Sequence, residues 1–194
     1  MATLSRRART AETRKATEAE LLGAAVSLLE EGTAYADVSI EQIVRRAGFS
    51  RPTFYTYFDD KRALVLKLGE ALETDLAEAA EPWLSFADVP LRDTLARVLA
   101  VFTRHRASVR AITEAATYDP AVAAFWQAFH DRFRPGAERR IASGSPDLDD
   151  AAVAARAYAL VYMTERTFVE HVGRPTVDER ALVDQVAWLW RAAT

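Results

Sequence analysis

With 194 residues, half of them hydrophobic, the chain has apolar material enough to bury the core of one large or two small domains. It contains no cysteine, which excludes a disulfide scaffold, cysteine-ligated zinc and thiol catalysis, and no apolar run reaches the roughly 18 residues that span a bilayer. A net charge of −3 argues against indiscriminate nucleic-acid binding, but residues 1–15 carry five basic side chains (Arg6, Arg7, Arg9, Arg14, Lys15) against the single acid Glu12.

That basic arm has two readings: contacts to phosphates or the minor groove, or a solvated tail. The N-terminus lacks the apolar core of a signal peptide, so a cytoplasmic location without membrane contact is expected. A first helix is predicted from near Thr13 or Thr17 to Glu31, with Leu21, Leu22, Ala25, Val26, Leu28 and Leu29 as its apolar stripe and Gly32 as its stop. Ser39 and Gln42 then have capping-box spacing, and Ile40, Ile43, Val44 and Ala47 form one apolar face. Gly48 suits a left-handed stop, which glycine adopts at least cost. Ser50 can cap the next helix, with Pro52 in its first turn, where a missing N–H costs little. In that short helix Phe54 and Phe58 anchor one side, while Arg51, Thr53, Tyr55 and Tyr57 fall largely on the other. Asp59 or Asp60 caps a longer helix that opens with Lys61 and Arg62 and runs to about Glu81. A polar helix held from behind by two phenylalanines suits insertion into a DNA major groove.

Pro82 and Pro90 bracket an expected break. Beyond it, helices are predicted at about Leu91–His105, Ala107–Thr117 and Pro120–Phe133, the last opened by an Asp119-Pro120 cap and kinked or interrupted by Pro135-Gly136 before Ile141. Asp149 caps a long helix to Val172, and a final helix opens at Thr176, with Glu179 completing a second capping box, and runs to about Arg191. No segment alternates like a strand, so the expected class is all-α: a three-helix head within residues 1–66, then a helical body over residues 67–194, about nine helices in total.

The string GFSRPTFYTYFDDKRAL strongly resembles the helix-turn-helix of the tetracycline-repressor family of bacterial regulators. Thr164-Glu165-Arg166-Thr167 and the region of Trp126 resemble the ethionamide-resistance repressor subgroup. The resemblance implies a DNA-binding homodimer released from its operator by a small ligand. Direct base readout falls to Arg51, whose guanidinium matches guanine O6 and N7, and Thr53 is placed at a base methyl or a phosphate. Tyr55, Tyr57 and Lys61 are expected on phosphates, Thr17 and Ser39 at the DNA backbone, and Ser50 and Pro52 at the start of the reading helix. By position within the subgroup, Phe102, Trp126, Phe129, His130, Val161, Thr164 and Val169 are the candidate ligand contacts, for an apolar or aromatic effector. The subgroup has asparagines where this chain has Val161 and Thr164, so the polar anchors differ.

The helix at 149–172 is apolar on more than one face, and so is the last one. Leu160, Met163, Thr167, Leu182, Val186, Trp188 and Leu189 are therefore expected at a dimer interface, the alternative being a thick monomeric bundle. Glu165 shares a face with Val161 and Phe168; a buried carboxylate needs a partner, and Arg106 or Arg110 is the expected one. Catalysis finds little support. His105, His130 and His171 have no metal-ligand spacing, no glycine-rich phosphate loop is present, and Asp147, Asp149 and Asp150 read as loop acids and a cap, so neither cofactor nor metal is expected. Two other readings remain open: an activator or ligand-independent DNA-binding protein, and a helical dimer whose head binds protein.

Overall fold

The computed structural model describes the backbone of residues 2–194 and side-chain burial from residue 11 onward, so the side chains of Arg6, Arg7 and Arg9 lie outside the described residues. Among the described residues it is all-α: α1 (Ala2–Glu30), a 3-10 turn at Tyr35–Asp37, α2 (Ile40–Ala47), α3 (Arg51–Tyr57), α4 (Lys61–Leu84), α5 (Leu91–Arg104), α6 (Arg106–Ala115), α7 (Pro120–Gly144), α8 (Asp150–Gly173) and α9 (Glu179–Arg191). The chain forms two compact units, Met1–Leu68 and Gly69–Thr194, and α4 contributes residues to both.

In the first unit, Leu21 and Leu29 of α1, Ile43 of α2, Phe54 of α3 and Val65 of α4 are all fully buried. Each lies on the apolar stripe of its own helix, so amphipathic spacing alone dictates which face turns inward. In the second unit α7 packs along α8, and Leu99, Ile112, Val122, Ile141 and Phe168 form the buried centre.

Four boundaries differ from expectation. Helix α1 begins at Ala2 rather than near Thr13 or Thr17, because the stretch contains no proline or glycine and its alanines and arginines are good helix formers. Helix α4 passes through Pro82 to Leu84, the proline falling in its last turn, where few helical bonds remain to be lost. Helix α7 is continuous through Pro135, held on either side of it by buried Phe129, Ala137 and Ile141. Gly136 packs closely against α4 there: a Cβ would lie 3.0 Å from the Leu84 Cβ, so Leu84 would have to give by a few tenths of an ångström. Helix α9 starts at Glu179, capped by Asp178, whose carboxylate accepts from the Ala181 N–H at 2.8 Å, so the Thr176 capping box does not form.

Candidate DNA-reading head and ligand cavity

The head's turn is built from local bonds. The Ser39 hydroxyl accepts from the Gln42 N–H at 3.2 Å while the Gln42 side chain accepts from the Ser39 N–H at 2.7 Å, closing the reciprocal cap of α2. Gly48 ends that helix at φ 74°, in the left-handed region that suits glycine. Ser50 caps α3 through the Thr53 N–H at 3.3 Å and its hydroxyl also meets the Thr53 hydroxyl at 2.8 Å. Phe54 and Phe58 are buried behind the helix, with ring centroids 5.4 Å apart. Arg51, Pro52 and Tyr55 are left exposed, and Thr53 and Tyr57 half-buried.

Arg51 donates to the Tyr55 hydroxyl at 3.2 Å and lies over its ring. That bond raises the guanidinium pKa further, so the charge is always present. Arg14 of α1 sits 5.9 Å from the Tyr57 ring, and Thr17 is half-buried one turn further on.

Lys61 is placed differently from the expected phosphate contact. Its Nζ donates to the carbonyls of Tyr35, Ala36 and Val38 at 2.7, 3.1 and 2.9 Å. An ammonium has three protons, and all three are committed to the 3-10 turn, whose carbonyls have few helical partners. The Tyr35 hydroxyl returns a bond to the Lys61 carbonyl at 3.1 Å. Lys61 thus ties the α1–α2 connection to the start of α4.

The body holds a partly open cavity of about 90 Å³. Its wall is apolar: Leu76, Trp83 and Leu84 from α4, Leu95, Val98 and Phe102 from α5, Phe129, Phe133 and Ala137 from α7, and Val161 from α8. Trp190 of α9 closes one side, its ring edge-on to Trp83 at 5.5 Å. The Trp190 indole donates to the Thr164 hydroxyl at 2.8 Å, and that hydroxyl donates to the Leu160 carbonyl at 2.8 Å. Thr164 is therefore committed to joining α8 and α9.

Glu165 is the one ionisable group in the cavity wall. Its partner is His130, Nε2 to Oε2 at 3.2 Å, and not Arg106 or Arg110. The reason is proximity inside the core: His130 is held by stacking on Tyr162 at 4.1 Å and by Trp126 and Phe129 edge-on, so its ring is already in place behind the carboxylate. The His130 Nδ1 is buried without a partner.

Of the candidate ligand contacts, Phe102, Phe129, Val161 and Thr164 stand in the wall. Trp126, His130 and Val169 do not line it: Trp126 stacks on Phe129 at 4.8 Å, His130 bonds to Glu165, and Val169 is half-buried. Sequence reasoning did not assign Trp83, Leu84, Val98 and Trp190 to it, and only the tertiary fold brings them together.

Residues 21–68 match the family model described as bacterial regulatory proteins, tetR family, and residues 91–194 match that of the transcriptional regulator EthR, C-terminal domain. The chain belongs to the tetR family. It is 31% identical over 193 residues to the HTH-type transcriptional regulator EthR of Mycobacterium tuberculosis, covering 89% of this chain and 84% of that protein. Against the EthR of Mycolicibacterium smegmatis the identity is 28% over 184 residues, covering 89% and 83%. Among solved structures, a TetR-family transcriptional regulator from Syntrophomonas wolfei superposes with a TM-score of 0.73 at 17% identity, covering 92% of this chain and 95% of that one. A regulator from Aquifex aeolicus gives 0.71 at 16%, covering 92% and 99%. This tetR-family protein is thus an EthR-like helix-turn-helix transcriptional regulator and not an enzyme. No helix among its described residues is long and apolar enough to cross a membrane.

The expected interface residues divide in two. Trp188 is 57% exposed and Leu189 40%, with Met163, Thr167 and Leu182 half-buried. Leu160 and Val186 are instead buried within the protomer. Leu160 falls in register with Val153, Ala157, Thr164 and Phe168 on the inner face of α8, and Val186 with Val183 and Trp190 on that of α9.

Proposed function

We propose that the protein is a homodimeric repressor that holds a palindromic operator and leaves it when a small, largely apolar effector enters the body cavity. The observation that carries this is the outward face of α3, where Arg51 and Tyr55 stand exposed over a buried Phe54 and Phe58. Arg51 reads a guanine edge and Thr53 a base methyl or phosphate, while Tyr55, Tyr57, Thr17 and the N-terminus of α2 at Ser39 fix register on phosphates. Ser50 and Pro52 shape the entry to α3. The two α3 helices of a dimer sit about one helical turn, ~34 Å, apart on the DNA.

The exposed Trp188 and Leu189 of α9, together with the half-buried Met163 and Thr167 of α8, support an isologous contact between two copies. Helix α4 supports the coupling: its first turn belongs to the head and its last turns wall the cavity. An effector releases DNA only if it binds the DNA-incompetent arrangement more tightly than the competent one. The protein acts where the genome is, in the cytoplasm.

Selection of bound fragments from a randomised DNA pool tests this reading. Enrichment of one palindrome with two protomers per half-site pair is the expected result. No enrichment from a folded, dimeric preparation overturns it.

A further inference from the structure

Beside the cavity lies a second, outer one of about 250 Å³, lined by Trp83, Phe86, Leu91, Arg140, Ser143 and Arg191 among others. Trp83 and Leu91 belong to both walls. The inner cavity of about 90 Å³ equals roughly three waters of liquid volume, well below the ~300–1,000 Å³ of ordinary ligand sites. The two adjoin at Trp83 and Leu91, and neither alone reaches that range.

The outer cavity is chemically unlike the inner one. Arg140 Nε donates to the Trp83 carbonyl at 2.6 Å, and its guanidinium lies 4.6 Å from the Trp83 ring centroid and 4.2 Å from that of Phe86. The Phe86 backbone has φ 65°, a strained conformation for a non-glycine residue, and it places this ring on the cation. Among the described residues no carboxylate pairs with Arg140, and burial pushes its pKa down. With Nε committed to a carbonyl, the Nη nitrogens make no hydrogen bond among the described residues and are the donors left for a ligand. Arg191, in the last turn of α9, adds a second cation.

We propose that the effector is an amphipathic acid, its apolar body in the inner cavity and its carboxylate held by Arg140 and Arg191 in the outer one. The proposal rests on the ligand-release reading above and specifies the ligand's chemistry. The placement of the charges sets the direction: Glu165 lines only the inner cavity and both arginines only the outer one, so the head lies outward. Charge-assisted, in-plane bonds to a guanidinium separate an acid from an uncharged analogue of the same length.

Calorimetric titration of the full chain with decanoate and with decanamide tests the proposal. The acid is expected to bind at least about tenfold more tightly than the amide. Arg140→Gln and Arg191→Gln are each expected to bring the two affinities within about threefold. Arg191 is exposed, so its variant reports even if Arg140→Gln perturbs Trp83. Equal binding of acid and amide by the unmodified protein overturns the acid head and leaves the apolar-effector reading standing. An acid preference that survives both substitutions overturns the assignment to these arginines. Failure of both probes to bind overturns the acid head and the apolar-effector reading alike.

Discussion

In the head, Arg51 and Tyr55 lie four residues apart on one helix and touch directly, with Phe54 and Phe58 supporting them from the same short segment. In the body, Glu165 meets His130 from 35 residues away and Trp190 reaches Thr164 across 26, while the cavity wall draws on five helices. A surface that reads DNA needs a few exposed groups on one rigid face, and local sequence can supply all of them. A cavity needs side chains converging from several directions, so its shape belongs to the packing of the helices and not to any one of them. The two units therefore respond differently to substitution.

The largest effect is expected at the α8–α9 surface. Trp188→Glu places a charge in the exposed apolar patch and is expected to separate the protomers, lowering operator affinity by about a hundredfold or more as the second half-site is lost. Sedimentation equilibrium with an operator titration measures both; an intact dimer with affinity within threefold would mean that another surface pairs the chains. Next comes Lys61→Met, which strips three carbonyls of a charged donor and is expected to cost the head about 3 kcal/mol in urea denaturation. A loss under about 0.5 kcal/mol would mean that water replaces the ammonium without penalty.

Thr164→Val probes the body in the same currency. It leaves the buried Trp190 indole N–H without its acceptor and is expected to cost about 2 kcal/mol, with DNA affinity unchanged in the absence of effector. Unchanged stability would show the α8–α9 link to be redundant. The smallest effect is at Gly48. A Cβ there meets nothing within 4 Å, so the cost of Gly48→Ala is purely that of holding alanine at φ 74°, about 1 kcal/mol. A much larger loss would point to a changed turn and misplaced α3.

The same contrast explains what was legible in the sequence. Ser39 with Gln42, Gly48, and Ser50 with Pro52 act through neighbours four residues away or fewer, and each performs in the structure the local job that its spacing implies. Lys61 was not legible in this way: its position at a helix start suggested a phosphate contact, whereas carbonyls 23 to 26 residues earlier take its protons. In the body, subgroup position placed Phe102, Phe129, Val161 and Thr164 at the cavity but could not see that Trp126 stacks on Phe129 without lining it. Charge logic required a partner for Glu165 and looked to arginines; the aromatic cage that fixes His130 beside it exists only after α7 and α8 pack. Leu160 and Val186 fit an apolar stripe equally well facing in or out, and α8's all-round apolarity gave no means of choosing.

Whether the exposed face of α3 reads DNA sequence is decided by a pair of titrations at fixed salt. Unmodified protein and Arg51→Ala, each verified as folded and dimeric, are titrated against the selected operator and against random duplex. A loss of about tenfold or more on the operator, with random-duplex affinity held within twofold, is the expected result, since a bidentate arginine–guanine pair contributes about 1–3 kcal/mol of discrimination. An equal loss on both DNAs would make Arg51 a phosphate contact, and no loss on either would mean that α3 does not read the operator.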